Sequence, residues 1–94
     1  MKTPDAITEA ELAAIEARVE AATPGPWVSY IEGRDVESGS SFIMTGEEDG
    51  EGEDLYMLRA PAAHQDFIAA ARQDIPKLIA EVRRLWRLLE ERGA

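Results

Sequence analysis

The chain has 94 residues, nineteen Asp or Glu against ten Lys or Arg, a net charge of -9, 45% hydrophobic residues and no cysteine. That length allows one small domain with a modest core. Lack of cysteine excludes a disulfide framework and a thiolate site, and the acidic balance opposes indiscriminate binding to nucleic acid or anionic membrane, because phosphate contact needs a basic surface.

No apolar stretch of signal-peptide length follows Met1, and nowhere do eighteen apolar residues run together, so a soluble cytoplasmic protein without membrane contact is expected. With neither disulfide nor metal to staple so small a core, association of copies is the natural extra source of burial, and a homo-oligomer is expected. Charge is unevenly spread: residues 1–74 carry sixteen acids against five bases, -11, whereas residues 75–94 carry three against five, +2. The asymmetry fits either a last helix that docks on an acidic surface or two ordinary solvated faces.

Thr8 and Glu11 have the spacing of a capping box, in which hydroxyl and carboxylate each bond the other residue's amide. A helix is predicted over residues 9–22, with Leu12, Ile15, Val19 and Ala22 as its apolar stripe and Glu9, Glu16, Arg18 and Glu20 on other faces. Thr23-Pro24-Gly25-Pro26 then ends it, since neither proline can donate a backbone hydrogen bond and each biases its predecessor toward extended geometry. Trp27 follows this rigid joint at once.

Residues 27–32, mixing aromatic and β-branched types, read as a strand, and Gly33 to Asp35 as a turn. Val36-Glu37 is expected to begin a partner strand, residues 41–44 another, and residues 55–58 the last. Between them, residues 47–54 hold six acids and two glycines and read as a loop. An EF-hand reading of that loop fails, because Ala60 stands where the bidentate glutamate belongs.

A helix is predicted over residues 62–73, with Phe67, Ile68, Ala71 and Ile75 toward the core, and a second over residues 75–92, with Asp74 as its cap and Pro76 in its first turn. Beyond Pro76, Ile75, Val82 and Leu89 repeat every seven residues, Leu78 and Leu85 lie between them, and Ile79 and Trp86 widen the stripe. Two heptads are too few for an isolated coiled coil, so Ile75, Leu78, Val82, Leu85, Trp86 and Leu89 form a core or oligomer face. The fold class is α+β: an N-terminal helix, a small antiparallel sheet of three to four strands, and a long kinked or broken C-terminal helix. Whether the strands pair within or between copies stays open.

No catalytic constellation emerges. The chain has one histidine, His64 at the start of a helix, serines mostly gathered in a turn, and glycines 46, 50 and 52 set among acids that would repel a phosphate. A non-enzymatic protein with no cofactor and no metal is expected. One arrangement suits a small anion: Arg59 before a helix whose first amides, near Ala62 to His64, lack partners, with Arg72 later on that helix. Trp27 or Tyr30 could stack on a ring, and an oligomer junction could bring Arg59 and Arg34 of neighbouring copies to one ligand. Read singly, Trp27 is better explained by core packing and the arginines by nearby carboxylates.

The segments Ala21-Ala22-Thr23-Pro24-Gly25-Pro26-Trp27, Asp66-Phe67-Ile68-Ala69-Ala70-Ala71-Arg72 and Leu78-Ile79-Ala80-Glu81-Val82-Arg83-Arg84-Leu85 resemble the Ead-like family of temperate-phage accessory proteins and their actinobacterial phage relatives. The likeness covers about half of the chain. It implies a phage or prophage origin, residence in the cytoplasm of the infected or lysogenic host, and a dispensable accessory role, and it carries over no catalytic residue. Two roles are weighed, the first by analogy with small phage accessory proteins and the second from the chain's own acidic and apolar surfaces. One is counter-defence by sequestering a nucleotide-derived signal at oligomer junctions, using Arg59, His64, Arg72, Trp27, Tyr30 and Arg34. The other is a protein–protein inhibitor or adaptor that uses its acidic surface or the apolar C-terminal helix against a host protein. DNA binding through Arg83, Arg84 and Arg87 ranks third, opposed by the overall charge.

Overall fold

A computed structural model describes residues 6–45, 54–57 and 59–93. Helix α1 (Glu9–Ala21) leads to strands β1 (Val28–Tyr30), β2 (Phe42–Met44) and β3 (Leu55–Tyr56), and helix α2 (Ala62–Gly93) closes the chain. The strands form one antiparallel sheet in the order β1-β2-β3, paired within the chain.

α1 starts where its capping box places it. The Glu11 amide donates to Thr8 Oγ1 and the Thr8 amide to Glu11 Oε1, each at 3.1 Å. Leu12 is buried and Ile15, Val19 and Ala22 are half-buried, which is the expected stripe. It lies antiparallel along α2: Arg72 donates to the Val19 carbonyl at 2.7 Å, while Arg83, farther along α2, reaches back to Glu16 at 2.8 Å and to Glu9 at 3.2 Å. Leu12 of α1 and Ala69 and Ile79 of α2 are the buried apolar side chains these two helices contribute to the core.

The sheet has two unlike faces because side chains alternate along a strand. Ser29 pairs with Ile43 and Ile43 with Leu55, and this face turns to α2, where Ile43 is fully buried. The opposite face carries an aromatic ladder. Tyr30 stacks on Phe42 at 5.3 Å between ring centroids, and Phe42 meets Tyr56 at 5.7 Å.

Several expectations need correction. Val36 and Glu37 begin no strand: Val36 makes one isolated bridge to Glu32 across the Gly33–Asp35 turn, whose Asp35 carboxylate takes the Ile31 amide at 2.9 Å, so the sheet has three strands. The acidic tract 47–54 lies outside the described residues except for Asp54, as does residue 58 of the last predicted strand.

The two predicted C-terminal helices are one element, with Pro76 inside it and Asp74 exposed in mid-helix instead of capping a restart. A proline there forfeits one backbone hydrogen bond, but Ala69 and Ile79 are buried on either side of it and Arg72 is tied to α1, so packing holds both halves in one helix. The predicted inward face of the first half is also misphased. Phe67 is 74% exposed and Ile68 38%, while Gln65 and Ala69 are the buried residues.

Candidate functional site

Gln65 is the pin between α2 and the sheet. Its side chain is 1% exposed, and its Nε2 donates to Ser29 Oγ at 2.9 Å, to the Phe42 carbonyl at 3.0 Å and to the Tyr30 carbonyl at 3.1 Å. Ser29 in turn donates to Asp66 at 2.8 Å, and Arg34 grips the same carboxylate with two nitrogens, at 2.8 and 3.0 Å. Hydrogen bonds from Arg34 and then Ser29 hold the Asp66 carboxyl down at about 2. Asp35 is lowered as well, first by Arg34 and then by the Ile31 amide, and Arg34 is raised by the pair of carboxylates. Arg34, a candidate ligand arginine, is thus engaged inside the chain.

Gln73 fixes the Pro-rich joint. Its Oε1 accepts the Trp27 amide at 2.9 Å and its Nε2 donates to the Trp27 carbonyl at 3.2 Å, so the side-chain amide mimics a neighbouring strand. Gly25 allows close approach: a Cβ there would stand 3.1 Å from Gln73 Oε1 and 3.3 Å from Arg72 Cγ, so both side chains would have to shift by a few tenths of an ångström. Trp27 Nε1 donates to the Thr23 carbonyl at 3.1 Å, and its ring helps to line an apolar pocket of about 220 Å³. Ile15, Val19 and Ala22 of the α1 end, with Ile68, Ala71 and Ile75 of α2, complete the apolar wall, and Arg18 and Arg72 are the pocket's two cations.

The candidate ligand residues therefore fall into three groups. Trp27 and Arg72 meet at this pocket. Arg34 is bound to Asp66 near the start of α2, where Arg59, exposed with φ 61°, and exposed His64 also lie. His64 stands about 12 Å along the helix from Arg72, at the usual rise per residue. Tyr30 belongs to the aromatic ladder on the other face of the sheet. The helix start offers fewer free donors than expected, because the amides of His64 and Gln65 both bond the Pro61 carbonyl, at 3.0 and 3.3 Å. On the last helix, Arg83 is spent on Glu16 and Glu9 and Arg84 on Glu81, which leaves little of the basic face. No cluster of metal ligands occurs among the described residues.

The predicted core or oligomer face divides in two. Ile75, Val82 and Trp86 are half-buried, flanking buried Ile79, whereas Leu78 is 62%, Leu85 45% and Leu89 66% exposed. Each of Leu78 and Leu85 precedes an inward residue, Ile79 or Trp86, and one residue turns a helix by about 100°. A second apolar stripe thus runs beside the one that meets α1, and Phe67 extends it toward the start of α2.

A second groove of about 420 Å³ lies between the helices, lined by apolar Val19, Pro76, Ile79 and Ala80 and by charged Glu16, Glu20, Arg83 and Arg87. Its charges are mixed in sign, and Arg83 is already bonded across it to Glu16. Sequence reasoning missed Gln65, Asp66, Gln73 and Arg83 as organising residues. The available signal was the interval of four linking Gln65, Ala69 and Gln73, which sets them along one side of a helix.

No protein-family model, curated protein or solved structure matches the chain. Among the described residues no helix is long and apolar enough to cross a membrane.

Proposed function

We propose that the chain is a non-enzymatic binding protein that acts stoichiometrically, through protein–protein contact made by the outward stripe of α2. The observation that carries this reading is the exposure of Phe67, Leu78, Leu85 and Leu89, four large apolar side chains on one helix face, at 45% or more each. Several large apolar side chains exposed on one face suit an association site, whereas single exposed leucines are ordinary. The resemblance to Ead-like phage accessory proteins supports the same class of action, a phage product that works by occupying a surface instead of transforming a substrate. The test is retention of bacterial host proteins and of tagged copies of the chain on immobilised protein, wild type against Leu78→Glu/Leu85→Glu. Loss of all retention in the double variant is expected, and equal retention by both sinks the reading.

The Trp27 pocket favours a second reading, capture of a small anionic ligand with a flat apolar part. Trp27 supplies a ring to stack on, and Arg18 and Arg72 supply charge. The volume of about 220 Å³ is below the range of ~300–1,000 Å³ usual for ligand sites, so a whole nucleotide would project from it. A nucleotide panel scored by melting temperature tests this: a ligand that prefers the folded chain raises it, and Trp27→Ala should abolish the rise.

A further inference from the structure

We infer that the Trp27 pocket takes a small aromatic monocarboxylate, a single ring on a short arm that ends in one carboxylate. This rests on the second reading above and names the class of ligand for the same pocket.

The lining selects an anion. No Asp or Glu among the described residues lines the pocket, although the chain as a whole carries -9. The larger groove between the helices, by contrast, is lined by two acids and two arginines. Arg34, Arg83 and Arg84 are each bound to carboxylates, whereas Arg18 and Arg72 meet none among the described residues. Arg72 is half-buried, and a cation taken partly out of water is costly unless it is paired. Its bond to the Val19 carbonyl, at 2.7 Å, fixes the guanidinium before any ligand arrives. That bond uses one of the five N–H donors of a guanidinium, and the rest have no partner among the described residues.

The helix end sets the charge number. Val19 and Ala22 bring the pocket to the C-terminal end of α1, where the helix dipole places about half a negative charge. This offsets part of the two positive charges and leaves a site for one negative charge. A phosphate dianion seeks the free amides of a helix N-terminus. Here the Ala22 amide is bonded to the Val19 carbonyl and the Trp27 amide to Gln73, so neither is free. A carboxylate asks less, because its two oxygens match the fork of a guanidinium.

Volume sets the size. A dry cavity of ~150 Å³ holds a benzene ring, and a water takes ~30 Å³ of the liquid. The pocket's 220 Å³ therefore suits one ring and a short arm. Ile15, Val19, Ile68 and Ile75 supply apolar surface for the ring to cover, and Trp27 an aromatic neighbour. The indole is tied to the Thr23 carbonyl and its backbone to Gln73, so binding orders little that was loose.

The experiment uses the full chain labelled with nitrogen-15, whose two tryptophans give two indole signals in a proton–nitrogen correlation spectrum. Trp86 does not line the pocket and serves as the internal control. Phenylacetate, the probe, should shift the Trp27 signal and leave that of Trp86 in place, with a Kd below about 1 mM, a modest demand on about ten heavy atoms. Phenylacetamide keeps the ring without the charge and acetate keeps the charge without the ring, and each should bind at least roughly tenfold more weakly. Arg18→Gln should weaken phenylacetate binding to a similar degree with the melting temperature unchanged, since Arg18 is exposed and bonds nothing among the described residues.

Tighter binding of adenosine monophosphate or phenyl phosphate than of phenylacetate at Trp27 overturns the carboxylate class alone and leaves an anion pocket standing. Equal binding of phenylacetamide and phenylacetate, or an unchanged affinity in Arg18→Gln, means that the arginines do not select the ligand. No shift of Trp27 with any of these probes means that the pocket holds no such ligand. Either result overturns both the inference and the reading beneath it.

Discussion

A buried glutamine decides how α2 meets the sheet. An amide that donates to two backbone carbonyls and one hydroxyl satisfies polar atoms that burial would otherwise strand, although Gln65 Oε1 has no partner of its own. Gln65→Leu keeps the bulk and removes the donors, so urea unfolding should show a loss of about 1–3 kcal/mol, the cost of unpaired buried acceptors. A neutral result would mean that the carbonyls of Tyr30 and Phe42 need no third partner. Asp66, next in sequence, makes a pH prediction. Its folded carboxyl sits at about 2, below the ordinary 3.8, so its stabilising effect is complete above the higher value and is lost as pH falls from there toward the lower. Arg34→Ala removes the principal cause of that lowering. Its melting temperature should therefore fall less than that of wild type between about pH 5 and pH 2, and the difference should shrink with salt because both groups are half-exposed.

Among the elements, α2 shows what a proline can be made to tolerate. Pro76 costs a helix interior up to about 3 kcal/mol, partly offset here because the residue is half-buried and lines the inter-helix groove. Pro76→Ala restores a backbone donor four residues after Arg72 and gives up some packing, so a net gain on the order of 1 kcal/mol is expected by chemical denaturation. A loss instead would show that the ring's contacts outweigh the missing bond. The residues that were legible in the sequence share a cause. Thr8 and Glu11 act through neighbouring backbone, Pro24 and Pro26 act through their own covalent geometry, and the stripe of α1 has no competing signal. The first half of α2 was misread because Phe67 and Ile68 outweigh Gln65 in any hydrophobic pattern, while Gln65 enters the core through hydrogen bonds to strands more than twenty residues away. Arg83 was likewise obscure, since its carboxylates on α1 lie 67 and 74 residues back. Of the candidate ligand set, Trp27 and Arg72 line one pocket, whereas Arg34 is taken by Asp35 of the turn and Asp66 of the helix start, partners that no spacing announces.

The whole molecule is unbalanced, 58 Å in its longest dimension and 19 Å in its shortest, because a helix of 32 residues lies beside one of 13. At 1.5 Å per residue α2 is about 48 Å long and α1 about 20 Å, so one helix outlasts the other. Arg83 already reaches Glu9, the first residue of α1, and residues 88–93 lie beyond it with Leu88 and Leu89 exposed. A helical end without tertiary cover frays, since a single helix this far from its packing partners has little stability of its own. A second copy docked on the exposed stripe would change that by covering Leu89. Amide exchange in residues 88–93 should therefore slow as protein concentration rises through the association range, while exchange in residues 69–83, packed on α1 in either state, should change little. In Leu78→Glu the terminal amides should exchange quickly at every concentration. If they exchange alike in both proteins across that range, no second copy covers the end of α2.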